Sequence, residues 1–208
     1  NDRPVLVGTG PSTGSVTEDS ASDLVGASLE TTGAFAFDDA DWSDVHTVSR
    51  GTPAGGNALG GGLVATVGTA ATGAAVGEVT WTYTVSNAAT QHLGAGDSVE
   101  ERFTVRVSDG RGGFVDQVVV VTVHGTNDAP VLTVDPIDDQ VLESGLAAGT
   151  APGVGLTAHG TITVADQDVG DTLSLVIEGV ASEQVALSDL NGRTFVGEHG
   201  TLVITGVN

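Results

Sequence analysis

Two runs of acidic residues share one spacing. Asp39, Asp41 and Asp44 form an Asp-x-Asp-x-x-Asp set, and Asp166, Asp168 and Asp171 form it again. Side chains two residues apart on an extended segment point the same way, so the first two carboxylates of each set converge where the strand runs through them. Two carboxylates about 4 Å apart repel by roughly 4 kcal/mol at an effective dielectric of about 20. A cation between them removes that repulsion. Oxygen donors in this number suit Ca²⁺, which takes about six to eight of them, better than zinc or copper. The spacing is not that of an EF-hand loop, which needs Gly at its sixth position and Glu at its twelfth. Counting from Asp166, those positions hold Asp171 and Ile177, and counting from Asp39 they hold Asp44 and Arg50. An acidic, solvated strand end has the same composition; the recurrence of one spacing favours the metal set.

Convergence needs a frame, and the chain supplies strands. Residues 79–85 alternate strictly, with Val79, Trp81, Tyr83 and Val85 on one face and Thr80, Thr82 and Thr84 on the other. That is the period of a half-buried strand. Residues 99–108 repeat it, with Phe103, Val105 and Val107 inward and Arg102, Thr104 and Arg106 outward. Asp109-Gly110-Arg111-Gly112-Gly113 reads as a hairpin turn, because Asp-Gly favours the positive φ that a tight strand connection needs, and residues 114–123 as the returning strand. Residues 31–37 form a further strand, with Phe35 and Phe37 on one face, and lead into the first acidic set. The glycine-rich residues 51–62 read as a long flexible hairpin loop. Short strands, glycine turns and the lack of an amphipathic helical stretch point to an all-β fold, an antiparallel β-sandwich.

A repeated connector divides the chain. Asn1-Asp2-Arg3-Pro4-Val5-Leu6 returns as Asn127-Asp128-Ala129-Pro130-Val131-Leu132. Proline fixes its own φ and holds the preceding residue extended, so each hexamer is a stiff lead into a strand, headed by two oxygen-bearing side chains. The repeat defines residues 1–126 as one complete unit and 127–208 as the first part of a second. The same alignment sets Glu18 against Glu143 and Gly33 against Gly160. Strands are expected at 161–164, 172–177 and 201–205. Counterparts of the strands holding Trp81, Phe103 and Phe114 are missing, so the second sandwich is expected to be incomplete. It is completed by another chain, cut short, or loosely ordered at its exposed edge. Because the chain opens on the connector itself, it is expected to be a piece of a longer array.

Composition narrows the function. With 27 acidic residues, six basic ones and a formal charge of −21, the chain repels nucleic acid and anionic membrane surfaces, which are gripped through Lys and Arg. All six basic residues are Arg; the absence of Lys removes a phosphate-binding P-loop and Schiff-base chemistry. Cysteine is absent, so neither disulfides nor thiolate metal sites are available, and metal ions are the remaining staple for small domains. No run of about 18 apolar residues suggests direct membrane insertion. The histidines, at 46, 92, 124, 159 and 199, have no paired spacing and are expected as exposed or hydrogen-bonded surface residues. No Gly-x-Ser-x-Gly elbow occurs, and the glycine run at 60–62 lacks a dinucleotide fingerprint, so the chain is read as a non-enzyme.

The run Leu93-Gly94-Ala95-Gly96-Asp97, the stretch Phe103-Thr104-Val105-Arg106-Val107-Ser108-Asp109-Gly110, the strand after it and then Gly125-Thr126-Asn127-Asp128-Ala129-Pro130-Val131 together resemble a VCBS repeat. VCBS repeats are tandem modules of large secreted bacterial adhesins of the RTX type. The connector is also similar, more distantly, to the end of a cadherin repeat. The resemblance implies cadherin-like, immunoglobulin-like sandwiches joined end to end with Ca²⁺ at the junctions. Carried onto this sequence, it implies ligands at Asn127 and Asp128, at Asp166 and Asp168 after them, and at Glu18 before them. Asp97 stands near an acidic ligand of cadherins. At the N-terminal end the matching set is Asn1, Asp2, Asp39, Asp41 and Asp109. The implied role is that of calcium-stiffened extender repeats of an adhesin, secreted to the bacterial cell surface and acting as a spacer in adhesion or biofilm formation. Its partners would be the neighbouring repeats of the same polypeptide. The alternative is a binding module that contacts glycan or protein through loops such as 51–62.

Overall fold

A computed structural model of the protein describes residues 1–19, 26–55, 57–135, 160–176, 185–196 and 201–206. The chain divides into two compact units, Asn1–Asp128 with Gln167–Val169, and Ala129–Asp166 with Gly170–Asn208. Among its described residues the first unit contains nine strands: β1 (Val5–Val7), β2 (Ser12–Thr17), β3 (Ser28–Asp38), β4 (Thr47–Val48), β5 (Thr52–Pro53), β6 (Gly62–Thr69), β7 (Gly77–Ser86), β8 (Ser98–Ser108) and β9 (Phe114–His124). They form a four-stranded sheet in the order β1-β3-β7-β6 and a five-stranded sheet in the order β2-β9-β8-β4, with β5 also on β8.

One core lies between the two sheets. β3, β6 and β7 contribute Phe37, Leu63, Val79, Trp81, Tyr83 and Val85, and β8 and β9 contribute Phe103, Val105, Val107, Val119, Val121 and Val123. The period-two pattern therefore buries one face of each sheet against the other, and the sandwich follows. Trp81 is the largest of these side chains. Its indole N–H donates to Ser12 Oγ at 2.9 Å, and its ring covers Gly33, its register partner on β3, and Gly14 on β2. A Cβ at either glycine would overlap the indole.

The pairing is antiparallel except for β2, which runs parallel to β9. β1 pairs antiparallel with β3 in one sheet; the chain then crosses to the other sheet through residues 8–11, where Gly8 and Gly10 take positive φ. The glycine-rich stretch 51–62 also differs from the expected hairpin loop. It carries β5, and it takes the chain from the five-stranded sheet to β6 in the four-stranded one. Glu101 holds it in place: this carboxylate lies on the core face of β8, fully buried, and accepts the Leu59 N–H at 2.8 Å and the Tyr83 hydroxyl at 2.7 Å. Burial first, then the hydrogen bond and charge of Glu101, keep the Tyr83 phenol protonated far above its ordinary range.

In the second unit β10 (Val131–Val134) pairs antiparallel with β11 (Ile162–Ala165), β12 (Ser174–Leu175) with β13 (Val185–Ala186), and β14 (Thr194–Val196) with β15 (Thr201–Val203). Val185, Leu190 and Phe195 are buried together, with Leu175, Leu187 and Ile204 against them. The strands expected at 161–164 and 201–205 coincide with β11 and β15, and β12 lies inside the stretch 172–177, whose last residue, Ile177, is outside the described residues. β13 and β14 were not legible, since neither shows sustained alternation. Glu143, His159 and His199 lie outside the described residues. No helix among the described residues is long and apolar enough to cross a membrane.

Candidate metal centres

The first acidic set begins where β3 ends. Asp39 is buried; its carbonyl accepts the Gly73 N–H at 3.0 Å, and its Oδ1 accepts the Asp41 N–H at 3.1 Å. The connector comes to meet it: the Asp2 N–H donates to Asp41 Oδ2 at 2.6 Å. One oxygen from each of Asp39, Asp41 and Asp44 lies within 4.8 Å of the others. That separation is inside the span of about 5 Å that two Ca²⁺–oxygen bonds of about 2.3–2.6 Å allow.

Two groups that sequence reasoning did not place at this set are part of it. His46 is buried, not on the surface as expected, and its Nε2 lies 3.1 Å from Asp39 Oδ2. The ring packs 4.9 Å from that of Phe37, which explains the burial: the residue closes the end of the core beside β3. Arg111 comes from the β8–β9 turn. Its Nε lies 2.7 Å from Asp44 Oδ1, and its Nη2 donates to Ser43 Oγ at 2.9 Å. The same turn carries Asp109, whose carboxylate accepts the N–H groups of Arg111 at 2.7 Å and Gly113 at 2.9 Å, and the Asn1 side-chain amide at 2.9 Å. Burial pushes Asp109 up, but the Arg111 N–H, the Asn1 amide and the N–H groups of Gly113 and Gly112 outweigh it and hold it below its ordinary value.

The second set repeats this geometry. The Asp128 N–H donates to Asp168 Oδ2 at 2.8 Å, as Asp2 does to Asp41. The Asn127 side-chain amide donates to the Asp128 carbonyl, as that of Asn1 does to Asp2. One oxygen from each of Asp166, Asp168 and Asp171 again lies within 4.8 Å of the others. Residues 167–169 belong to the first unit, where the Val169 N–H reaches the His92 carbonyl at 3.3 Å. Gly125 lets the connector run close to this place, since a Cβ there would overlap the carbonyl oxygens of Leu93 and Gly94.

Glu18 is the third element. It follows β2, is only 4% exposed, and its Oε1 accepts from Gln91 Nε2 at 2.7 Å. Oε2 is buried without a hydrogen bond of ordinary geometry among the described residues. Burial, then the negative charges of Asp128 and Asp168, push its acid up to about 7, with the Thr126 N–H offsetting part of the shift. An acid destabilised in this way is relieved by a proton or by a cation, and the donor set is oxygen throughout. The residues present therefore fit a hard divalent ion. Asp97 contributes through its backbone: its N–H donates to the Gly94 carbonyl, its own carbonyl accepts from Gly125, and its side chain is exposed.

Of the expected ligands, the fold thus brings together Asn1 with Asp109, Asp2 with Asp41, and Glu18 with Asp128 and Asp168. Gln91, His46 and Arg111 were missed. Gln91 and Arg111 reach their carboxylates from a different strand connection, so no local spacing signals them; His46 lies seven residues after Asp39 in the same β3–β4 connection, and its pairing depends on how that connection folds back. A scan against protein-family models and a search of the curated proteins find no match to this chain.

Proposed function

We propose that the chain is a piece of a calcium-stiffened tandem array resembling the VCBS repeats of secreted bacterial adhesins, and that it serves as a structural spacer at the cell surface. The observation that carries this reading is the doubled connector contact: in each repeat the second hexamer residue donates its N–H to the middle carboxylate of the following acidic set. A local acidic patch has no reason to recur with the same backbone partner. In this reading, Ca²⁺ held by Glu18, Asp128 and Asp168 pins the connector and residues 167–169 to one another. Asp166 and Asp171 supply further oxygens, and the chain leaves the first unit with less freedom. The first set, with Asn1, Asp2 and Asp109 beside it, is the equivalent position one repeat earlier.

The test is small-angle scattering and calorimetry on the 208-residue chain. Calcium should bind with displaceable heat, and chelation should broaden the distribution of interatomic distances. An identical distribution with calcium and with chelator would refute the stiffening role even if calcium binds.

A further inference from the structure

We propose that Arg111 is a tethered counter-cation for the first acidic set: its guanidinium holds the position at Asp44 that a divalent ion takes, and the ion binds there by displacing it. The inference rests on the cation reading of this set and adds a competitor built into the chain.

The pair is asymmetric. The Asp44 side chain is 1% exposed and that of Arg111 is 53% exposed, so the anion is fixed in the protein and the cation can swing into solvent. Asp44 Oδ1 lies 2.7 Å from Arg111 Nε as an ion pair, and both Asp44 oxygens are buried without a hydrogen bond of ordinary geometry among the described residues. The guanidinium therefore neutralises the carboxylate by proximity and leaves both of its oxygens for a better ligand. The turn that presents it is held independently, through Asp109 and the N–H groups of Arg111 and Gly113. Releasing the side chain does not require the turn to open. The other two carboxylates are met by groups that need not leave: Asp39 by buried His46 and Asp41 by the Asp2 N–H. Arg keeps its charge at every physiological pH, so the competition is set by the ion concentration and not by protonation.

The protein carries its own reporter. Trp42 lies between Asp41 and Asp44 in sequence and is 81% exposed, whereas Trp81 is in the core. Terbium, a calcium-sized trivalent ion, should emit on excitation of Trp42, and Trp42→Phe should remove that emission. Arg111→Gln should lower the terbium concentration at half-emission by about tenfold, the factor expected if the ion pair leaves about a tenth of the molecules open to the ion. Arg111→Lys, which keeps a charge, should stay within a few-fold of the parent. In the unmodified protein, calcium should speed the reaction of Arg111 with an arginine-specific dicarbonyl, followed by peptide mass spectrometry. Equal terbium midpoints for the parent and Arg111→Gln, or dicarbonyl labelling indifferent to calcium, would overturn the competition and leave the metal set standing. No Trp42-dependent emission in either protein, with no heat of calcium binding lost in Asp44→Asn, would overturn both.

Discussion

Glu18 lies beside Asp128 and Asp168, and its acid is pushed from 4.5 to about 7 by burial and by their charges. The folded chain therefore holds a proton on Glu18 that the unfolded chain has released between those two values. Its contribution to metal-free stability should be greatest below about pH 4.5, fall as pH rises to about 7, and level off above, a loss of about 3 kcal/mol from this group. Asp109 and Asp116 shift downward, so they lose their contribution only at still lower pH and do not mask the trend. Urea midpoints in chelator across pH 4.5 to 8 should show this slope for the parent and a flatter one for Glu18→Gln, and saturating calcium should flatten the parent as well; parallel slopes for the two chains would contradict the assignment. At this scale the acidic sets were legible because a spacing that recurs stands out. Gln91 and Arg111 were not, because a partner that arrives from another strand connection leaves no pattern near the residue it serves. His46, though only seven residues from Asp39, meets it through a fold-back of the connection that no spacing encodes.

Among the elements, β7 carries the packing constraint that matters most. The Trp81 ring occupies the space where Gly33 would have a side chain, in register across the β3–β7 ladder. Gly33→Ala should cost about 1–3 kcal/mol by overpacking. Pairing it with Trp81→Phe should recover part of that cost, giving a double mutant clearly less destabilised than the sum of the single ones. Thermal or denaturant unfolding measures both, and strict additivity would count against the contact. The inward faces of β7 and β8 were readable because a two-layer fold imposes period two on any strand with one buried face. The parallel pairing of β2 and the sheet-crossing path of 51–62 were not, since pairing partners and crossovers are long-range choices that local alternation does not encode.

For the molecule as a whole, a formal charge of −21 makes the folded chain repel itself, and divalent ions held at the acidic sets would relieve part of that repulsion. With free calcium at about 100 times Kd, each filled site should stabilise the fold by about 2.7 kcal/mol. The melting temperature should therefore rise with calcium and return with chelator. Magnesium at equal concentration should raise it less, because it demands a tighter octahedron than these carboxylates provide. A melting temperature that responds equally to sodium at matched ionic strength would reduce the effect to general screening.

What the sequence determined by itself was local and periodic: the strand faces, the Asp-Gly turn at 109–110, the repeated connector and the two acidic sets whose oxygens could hold a metal ion. Each follows from the residue types within a few positions of one another, where backbone geometry alone sets which side chains share a face. The tertiary structure alone decided which carboxylates meet which partners. Asp41 receives Asp2, Asp168 receives Asp128, Glu18 becomes a buried acid, and Arg111 stands at Asp44. Those meetings depend on which sheet each strand joins, and that is settled by burying a single core between two sheets, a property of the whole unit that no short stretch of sequence carries.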